Sequence, residues 1–257
     1  MSTTPTQGRD NEGMNENAAG VANRVLSLLD LTELASDCDT AAVVRLCHAA
    51  IDPRGNVAAV CVWPEFVGLS AELLASSGVR IATVVNFPEG NDETERVCAE
   101  AGRALADGAN EIDLVLPWHD FLAGREKRAR KMVAAVREAI AATTLKVILE
   151  TGQYPDQIAV ANASRLAVEE GADFLKTSTG KTAVSASLEA ATTVLNVIHE
   201  ADRVVGIKAS GGIRSLLQAR SYLELADAIM GPDWATPATF RFGASALHDD
   251  VMRVLGP

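Results

Sequence analysis

Lysine is scarce in this chain of 257 residues, where six lysines stand against seventeen arginines. Two of the six, Lys176 and Lys208, each follow apolar residues and precede glycines, a context typical of the end of a buried strand. A buried ammonium group is costly, so such a lysine normally has a carboxylate partner or a lowered pKa. Lysine, unlike arginine, can lose its proton and attack a carbonyl carbon. The two positions therefore indicate amine chemistry.

Other absences narrow the class of protein. Basic residues are outnumbered by acidic ones, 23 to 34, and the net charge of −11 disfavours a nucleic acid as partner but not a small phosphate ester. No C-x-x-C pair and no Cys/His cluster with metal-ligand spacing occurs, which predicts reduced thiols in a cytoplasmic protein without a metal. The four cysteines are Cys38, Cys47, Cys61 and Cys98. No apolar run approaches the length of a membrane span, and the first twenty residues lack the apolar core of a signal peptide.

The N-terminal part differs in composition from the rest. Residues 1–20 are polar and poor in large apolar groups, so they bury too little surface to offset the entropy of ordering. We predict a disordered tail over residues 1–20 and a single folded domain over residues 21–257. Amphipathic spacing predicts short N-terminal helices over Val21–Leu29 and Thr40–Ala50.

Apolar runs and helical patterns then alternate to the end of the chain. The predicted strands are Val57–Trp63, Arg80–Phe87, Glu111–Leu116, Leu145–Thr151, Phe174–Ser178, Val204–Ala209, Ala226–Met230 and Phe240–Gly243. Near-continuous apolar strands are typical of a parallel sheet that is covered on both faces. Eight strand–helix units predict an α/β fold, the (β/α)₈ or TIM barrel, with a doubly wound open sheet as the alternative.

In a barrel, polar residues at the C-terminal ends of the strands converge on one mouth, where active sites lie. The residues placed there are Asn86, Asp113, Glu150, Lys176, Lys208 and Gly243. Period-two alternation points Glu111 and Asp113 into the barrel. On neighbouring strands, the ammonium of Lys208 would lower the pKa of Lys176, and Asp113 would keep Lys208 charged. A purely structural ion-pair network is the alternative.

Lys146 enters its strand at the end away from the mouth, which favours a structural role.

Glycine turns follow the last predicted strands and favour an anionic ligand. Backbone N–H groups at a turn that leads into a helix bind anions, and phosphate sites in barrels commonly use the loops of the last strands. The run Ser178–Thr182 resembles the end of a P-loop, but Leu175 stands where that motif requires glycine, so we reject a nucleotide-binding site. Lys181 and the turns at Gly211 and Gly243 instead predict a phosphorylated substrate.

Taken together, these motifs resemble the deoxyribose-phosphate aldolase family of class I aldolases over residues 28–247. The motifs that carry the resemblance are Leu29-Asp30-Leu31-Thr32, Thr83-Val84-Val85-Asn86-Phe87-Pro88, Glu111-Ile112-Asp113, Leu149-Glu150-Thr151-Gly152, Phe174-Leu175-Lys176-Thr177-Ser178-Thr179-Gly180-Lys181, Gly211-Gly212-Ile213-Arg214 and Arg241-Phe242-Gly243-Ala244-Ser245.

The resemblance implies a role for each matching residue. Lys176 would form a Schiff base, Asp113 and Lys208 would relay protons, and Asp30 would contact a substrate hydroxyl. The residues expected to surround the phosphate are Gly180, Lys181, Gly211, Gly212, Arg214, Gly243 and Ser245.

The resemblance also implies a reaction. It is the reversible cleavage of 2-deoxy-D-ribose 5-phosphate to D-glyceraldehyde 3-phosphate and acetaldehyde, in deoxyribonucleotide catabolism. No cofactor would be needed, and a homodimer is expected.

Three departures from the family pattern are visible. Ala209 stands where proline is common, which we expect to loosen the following turn, and Ala246 removes one serine donor to the phosphate. Some members end in a tyrosine that aids proton transfer, whereas this sequence ends in Gly256-Pro257, so we expect slower turnover or a water molecule in that role.

Two other functions remain open on the sequence. One is another lysine-dependent aldolase or a transaldolase-like enzyme acting on a different sugar phosphate. The other is a barrel that binds phosphosugars without catalysis.

Overall fold

A closed barrel of eight parallel strands forms the centre of the protein, whose computed structural model describes residues 18–256. Each strand pairs with the next along the chain, and β8 pairs with β1. The strands are β1 (Leu29–Glu33), β2 (Ala59–Val62), β3 (Arg80–Val85), β4 (Glu111–Val115), β5 (Thr144–Ile148), β6 (Phe174–Lys176), β7 (Gly206–Ser210) and β8 (Phe240–Ala244). Closure leaves no edge strand, so the (β/α)₈ prediction is confirmed and the open sheet is excluded.

Helices surround the barrel and connect its strands. They are α1 (18–27), α2 (Thr40–Ala49), α3 (Val67–Leu74), α4 (Thr94–Ala106), α5 (Trp118–Leu122), α6 (Glu126–Ile140), α7 (Gln157–Glu169), α8 (Leu188–His199), α9 (Leu216–Met230) and α10 (Ala246–Leu255). Most of the predicted tail, residues 1–17, lies outside the described residues, and residues 18–20 belong to α1. The boundary between tail and domain stays a prediction. Among the described residues, no helix is both long and apolar enough to cross a membrane.

One predicted strand is wrong, and one strand escaped prediction. Ala226–Met230 is the end of α9, whose buried positions recur at helical spacing, including Ala219, Leu223 and Ala226. The eighth strand is instead β1, which follows α1 directly. Its sequence, Leu-Asp-Leu-Thr-Glu, contains no continuous apolar run, because the second residue, Asp30, points into the barrel.

Local capping fixes where the helices near the mouth begin. The Ser187 hydroxyl accepts a hydrogen bond from the Ala190 amide at the start of α8. Ser215 and Gln218 form a capping box at the start of α9. As a result, the glycine turn after β7 leads into α9 within a few residues.

The barrel has two different linings. Outward-facing apolar side chains of the strands pack against the helices in one continuous core. On the inside, β2 and β3 contribute a small apolar cluster that includes Cys61, Ala82 and Val84. The charged side chains inside the barrel come from the other six strands. An apolar wall therefore faces an ionic wall across the barrel.

Candidate active site

Seven charged side chains meet inside the barrel and form what we call the ionic network. Its carboxylates are Asp30, Glu111 and Asp113, and its cations are Lys146, Lys176, Lys208 and Arg241. They come from β1 and from β4 to β8. None of the seven side chains is more than 6% exposed, so the network is held in a region of low dielectric constant.

Strand register places the two candidate catalytic lysines side by side. Lys176 on β6 is the direct partner of Lys208 on β7. One oxygen of Asp113, Oδ2, lies 2.8 Å from the Nζ atom of each lysine. The two lysine nitrogens thus share one carboxylate oxygen.

Lys146 extends this arrangement further than the sequence indicated. It is the central residue of β5, and its Nζ atom is 3.1 Å from Asp113 Oδ1, 3.1 Å from Asp30 Oδ2 and 2.5 Å from Glu111 Oε2. Lys146 therefore contacts the carboxylate that also holds Lys176. Asp113 and Lys146 are register partners on β4 and β5, a relation that only the assembled sheet reveals.

Arg241 closes the network at the floor of the barrel, the N-terminal end of the strands. Its guanidinium lies 2.5 Å from Asp30 Oδ1 and 2.9 Å from Glu111 Oε1, and its Nε donates to the carbonyl oxygen of Pro237. From the sequence, Arg241 was placed in the predicted strand Phe240–Gly243 and was given no role of its own. The signal that was available is its position two residues before Gly243 on a strand, which gives both residues the same inward direction.

The pKa shifts of the lysines have opposite signs. Burial lowers the pKa of Lys176, and the charge of Lys208 lowers it further against the attraction of Asp113. Burial also acts to lower the pKa of Lys208, but the carboxylates of Asp113 and Asp30 outweigh it and raise that pKa above the ordinary value. The same balance raises the pKa of Lys146. Lys176 is thus the amine that most readily becomes neutral.

The carboxylates respond in the opposite direction. Burial alone would raise the pKa of Asp113, but the ammonium groups of Lys146, Lys176 and Lys208 hold it well below the ordinary range. The pKa of Asp30 is likewise lowered by Lys146, Lys208 and Arg241 despite complete burial. Both aspartates are therefore ionised.

A cavity of about 510 Å³ opens at the mouth beside the network. Every residue that the resemblance placed around a phosphate lines it, namely Gly180, Lys181, Gly211, Gly212, Arg214, Gly243 and Ser245. Asp30 does not line it, since its carboxylate is fully buried below among the cations. The cavity is bordered by the loops after β6, β7, β8 and β1.

Two glycine turns define one wall of this cavity. Gly180 and Gly211 both have positive φ, 77° and 94°, and a Cβ atom on Gly211 would lie 3.3 Å from Gly180 Cα. Larger residues would therefore be strained and would separate the two turns. Across the mouth, the Lys181 ammonium donates to the carbonyl oxygen of Leu34 at 2.6 Å and joins the loop after β6 to the loop after β1.

Gly243 separates the cavity from the network. A Cβ atom at this position would lie 2.8 Å from Lys208 Cε and 2.6 Å from Ser210 Oγ. Since Gly243 also lines the cavity, its missing side chain is what lets the Lys208 stem pass close to the mouth.

Glu150 and Asn86 support the loops rather than the network. Glu150 adopts a left-handed backbone, with φ 61°, and its carboxylate accepts hydrogen bonds from the Thr179 amide and from the hydroxyls of Thr179 and Thr182. It thereby anchors the loop that carries Lys181. Asn86, also at positive φ, donates from Nδ2 to the Val115 carbonyl oxygen at 2.8 Å.

Ala209 and Ala246 occupy ordinary positions. Ala209 is fully buried inside β7, one residue before the strand ends, and packs in the core between barrel and helices. Ala246 is the first residue of α10 and lines the cavity.

A parallel barrel with two lysines paired on neighbouring strands defines a barrel aldolase as the class of protein, and the relatives agree. The family model for DeoC/LacD family aldolases matches residues 24–247. A deoxyribose-phosphate aldolase from Agrobacterium fabrum is 52% identical over 235 residues, which cover 90% of each chain. The chain belongs to the DeoC/LacD family of aldolases, which are carbon–carbon lyases.

Solved structures show the same architecture. A protein from Toxoplasma gondii ME49 that is assigned as a deoxyribose-phosphate aldolase has a TM-score of 0.87 at 27% identity, covering 94% of this chain and 96% of that one. The tetrameric deoxyribose phosphate aldolase from Aeropyrum pernix has a TM-score of 0.75 at 24% identity, covering 95% and 96%. At that identity the second similarity concerns the fold alone.

Proposed function

We propose that the protein catalyses the reversible cleavage of 2-deoxy-D-ribose 5-phosphate to D-glyceraldehyde 3-phosphate and acetaldehyde, through a Schiff base on Lys176. The activity of the Agrobacterium fabrum relative supports the choice of substrate. The chemistry rests on one observation, the charge count of the ionic network.

Four cations face three carboxylates in that network, so full ionisation would bury one excess positive charge. Releasing a proton from one amine removes the excess, and arginine cannot supply that proton. Lys146 contacts three carboxylates and Lys208 contacts two, whereas Lys176 contacts only Asp113. The neutral amine is therefore Lys176, which is then a nucleophile.

The reaction begins with attack of neutral Lys176 on C1 of the open-chain aldehyde. The hydroxyl of the resulting carbinolamine takes a proton from Lys208 and leaves as water, which gives an iminium ion. Removal of the proton from the C3 hydroxyl breaks the C2–C3 bond, and the electron pair moves to the iminium nitrogen to give an enamine. D-Glyceraldehyde 3-phosphate leaves, C2 of the enamine is protonated, and hydrolysis releases acetaldehyde and restores the amine.

The charge count also explains how protons move. Iminium formation restores the fourth positive charge, and this makes loss of a proton from Lys208 easier. Enamine formation removes that charge again, and Lys208 recovers its proton. Asp113, which contacts both nitrogens, passes protons between this pair and the substrate with the help of water.

The mouth cavity accounts for the phosphate. Lys181, the amides of the glycine turns and the start of α10 at Ser245 provide donors for a dianionic ester. We keep the proposed hydroxyl contact of Asp30 as the role implied by the family, although its oxygens are occupied by Lys208, Lys146 and Arg241.

Trapping of the Schiff base tests the mechanism. Incubation with acetaldehyde followed by borohydride should leave an ethyl group on Lys176, identified by peptide mass spectrometry. Lys127 and Lys131, on α6 outside the barrel, serve as internal controls in the same digest. Absence of an adduct on every lysine would exclude the Schiff base, and full activity of Lys176→Arg would exclude Lys176 as the nucleophile.

Two further assays address the alternatives. Activity lost to a chelator and restored by zinc would contradict the lysine mechanism. A panel of sugar phosphates should show acetaldehyde release from 2-deoxy-D-ribose 5-phosphate, and cleavage without acetaldehyde would indicate a different aldolase.

We also propose a cytoplasmic homo-oligomer, a dimer by family expectation, with a role in deoxyribonucleotide catabolism. All four cysteines are unpaired, which agrees with a reducing compartment. The mass of the protein in solution, measured by light scattering, tests the oligomer.

A further inference from the structure

Glu111 and Lys146 lie at the floor end of the ionic network, beyond the residues that the proposed reaction uses. Glu111 is 2% exposed and joins Arg241 to Lys146, and Lys146 in turn contacts Asp113. We propose that Glu111 and Lys146 are positioning residues that fix the net charge of the network and so determine whether Lys176 is neutral. This inference rests on the proposed role of Lys176 as the nucleophile.

Burial makes the net charge of the network matter. Excess charge in a low-dielectric interior is costly, and water cannot screen it at side chains that are almost fully buried. Protons therefore redistribute until cations and carboxylates balance. Lys176 has the fewest carboxylate contacts among the three lysines of the network. It is therefore the group that gains or loses a proton when cations and carboxylates are unequal in number.

Few of the groups around Lys176 can change their charge in its place. From β4 and β7 it faces Asp113 and Lys208, and from β2 it faces Cys61, whose thiol pKa is raised by burial so that the group stays neutral. From β3, the inward residues near Lys176 are the apolar Ala82 and Val84. Asp30, Lys146 and Arg241, on β1, β5 and β8, act through Asp113 and Lys208.

Glu150 lies outside this balance. It is buried at the mouth, but its carboxylate is held by the hydroxyls of Thr179 and Thr182 and makes no ion pair among the described residues. Arg80 on β3 also lies 3.7 Å from Glu111 Oε1, but its side chain is 49% exposed, so water screens its charge. The buried network thus has seven members, and changing one of them changes its count by one.

Loss of a cation and loss of a carboxylate should shift the acid limb of the pH profile in opposite directions. Lys146→Met removes a cation, so three carboxylates then balance three cations that include a charged Lys176. The acid limb of the pH profile of kcat/KM, where Lys176 loses its proton, should move to higher pH by about one unit or more. Glu111→Gln removes a carboxylate and increases the positive excess. Its acid limb should move to lower pH by a similar amount.

Additional variants separate charge from packing. Lys146→Arg keeps the charge and should leave the midpoint of the acid limb near that of the wild type even if kcat falls. Arg241→Met removes a cation that does not contact Asp113. Its acid limb should move to higher pH, as that of Lys146→Met does. Arg241→Met therefore replaces Lys146→Met if the latter does not fold. Lys131→Met removes a lysine from α6 that is 67% exposed and should leave the limb unchanged.

A second readout keeps this inference distinct from the proposed function. The pH dependence of borohydride trapping on Lys176 should have the same midpoint as the kinetic profile in each variant, with folding checked by circular dichroism. If wild-type Lys176 forms no adduct, the proposed function fails. If the adduct forms but the Lys146→Met and Glu111→Gln limbs shift in the same direction or stay in place, only the positioning inference fails.

Discussion

The ionic network and the mouth cavity lie next to each other but are built in opposite ways. The network consists of long charged side chains from strands, all nearly excluded from water. Ten of the sixteen cavity residues are exposed or half-buried, and the cavity offers backbone amides, glycines and the flexible side chains of Lys181 and Arg214. Low dielectric strengthens the interactions that make an amine nucleophilic, whereas a hydrated phosphate needs an open approach. The two regions should therefore control different kinetic constants, kcat for the network and KM for the cavity.

Asp113→Asn should break the network most severely. The change keeps the shape of the side chain but removes the charge that holds Lys208 protonated, and four cations then face two carboxylates. We expect kcat to fall about 10³-fold, within the range for loss of a general acid–base group, with little change in KM. Steady-state kinetics with 2-deoxy-D-ribose 5-phosphate measures both constants.

Asp202→Asn, in the loop before β7, is the matched control and should retain wild-type activity. Because breaking a buried ion pair costs about 3–5 kcal/mol of unfolding free energy, thermal unfolding must show that Asp113→Asn is folded at the assay temperature. A folded Asp113→Asn enzyme with near-normal kcat would remove Asp113 from the mechanism.

Gly243→Ala tests the boundary between the two regions. The added methyl group would press on Lys208 Cε and Ser210 Oγ and displace the ammonium of Lys208. Displacement of a catalytic group by about 1 Å can cost about 10²-fold, so we expect kcat to fall by that order. Gly243 also lines the cavity, so a second substrate is needed to separate an effect on Lys208 from an effect on phosphate binding. Because Lys208 would act on both substrates, the fall should appear with 2-deoxyribose, which has no phosphate, as well as with its 5-phosphate.

Gly102→Ala gives the control for adding a methyl group. Gly102 lies in α4, and no atom is within 4 Å of its added Cβ. This change should stabilise the protein by about 0.5–1 kcal/mol and leave kcat unaltered. An unaltered kcat in Gly243→Ala as well would mean that Lys208 tolerates the shift.

Lys181→Met should have the smallest effect and only on the cavity. The ammonium has three donors, so it can hold the Leu34 carbonyl and still reach a phosphate. Loss of one charge-assisted hydrogen bond, about 1.5–3 kcal/mol, should raise KM for the phosphorylated substrate by about 10- to 100-fold.

The same Lys181→Met variant should act on unphosphorylated 2-deoxyribose as well as the wild type does. Lys127→Met, on the exposed face of α6, controls for the loss of a lysine. A fall in kcat on both substrates would place Lys181 in the chemistry rather than in phosphate binding.

The sequence predicted the architecture well because most strands are continuous apolar runs. The prediction failed at Ala226–Met230 and at β1. Short apolar segments fit either a helix or a strand, and β1 lacks a continuous run because Asp30 points inward. The count of eight strands was right while one member was wrong.

Within the site, the sequence could not show which residues of different strands lie next to each other. Lys176, Lys208 and Asp113 could be proposed from the sequence because each lies in a recognisable strand. The position of Lys146 was misjudged because the predicted strand began at Leu145, whereas Lys146 is the central residue of β5. Only the register of β4 against β5 brings Lys146 and Asp113 together, and register between strands is a property of the folded sheet.

The pairing of β8 with β1 makes the site a product of the complete chain. Asp30 comes from the first strand and Arg241 from the last, and they meet only when the barrel closes. Before closure, Lys176 resembles any lysine in water and is mostly protonated at neutral pH. If Lys176 is the nucleophile, its reactivity toward an aldehyde requires the closed barrel, so the trapping reaction should report barrel closure during refolding and leave incomplete chains unmarked.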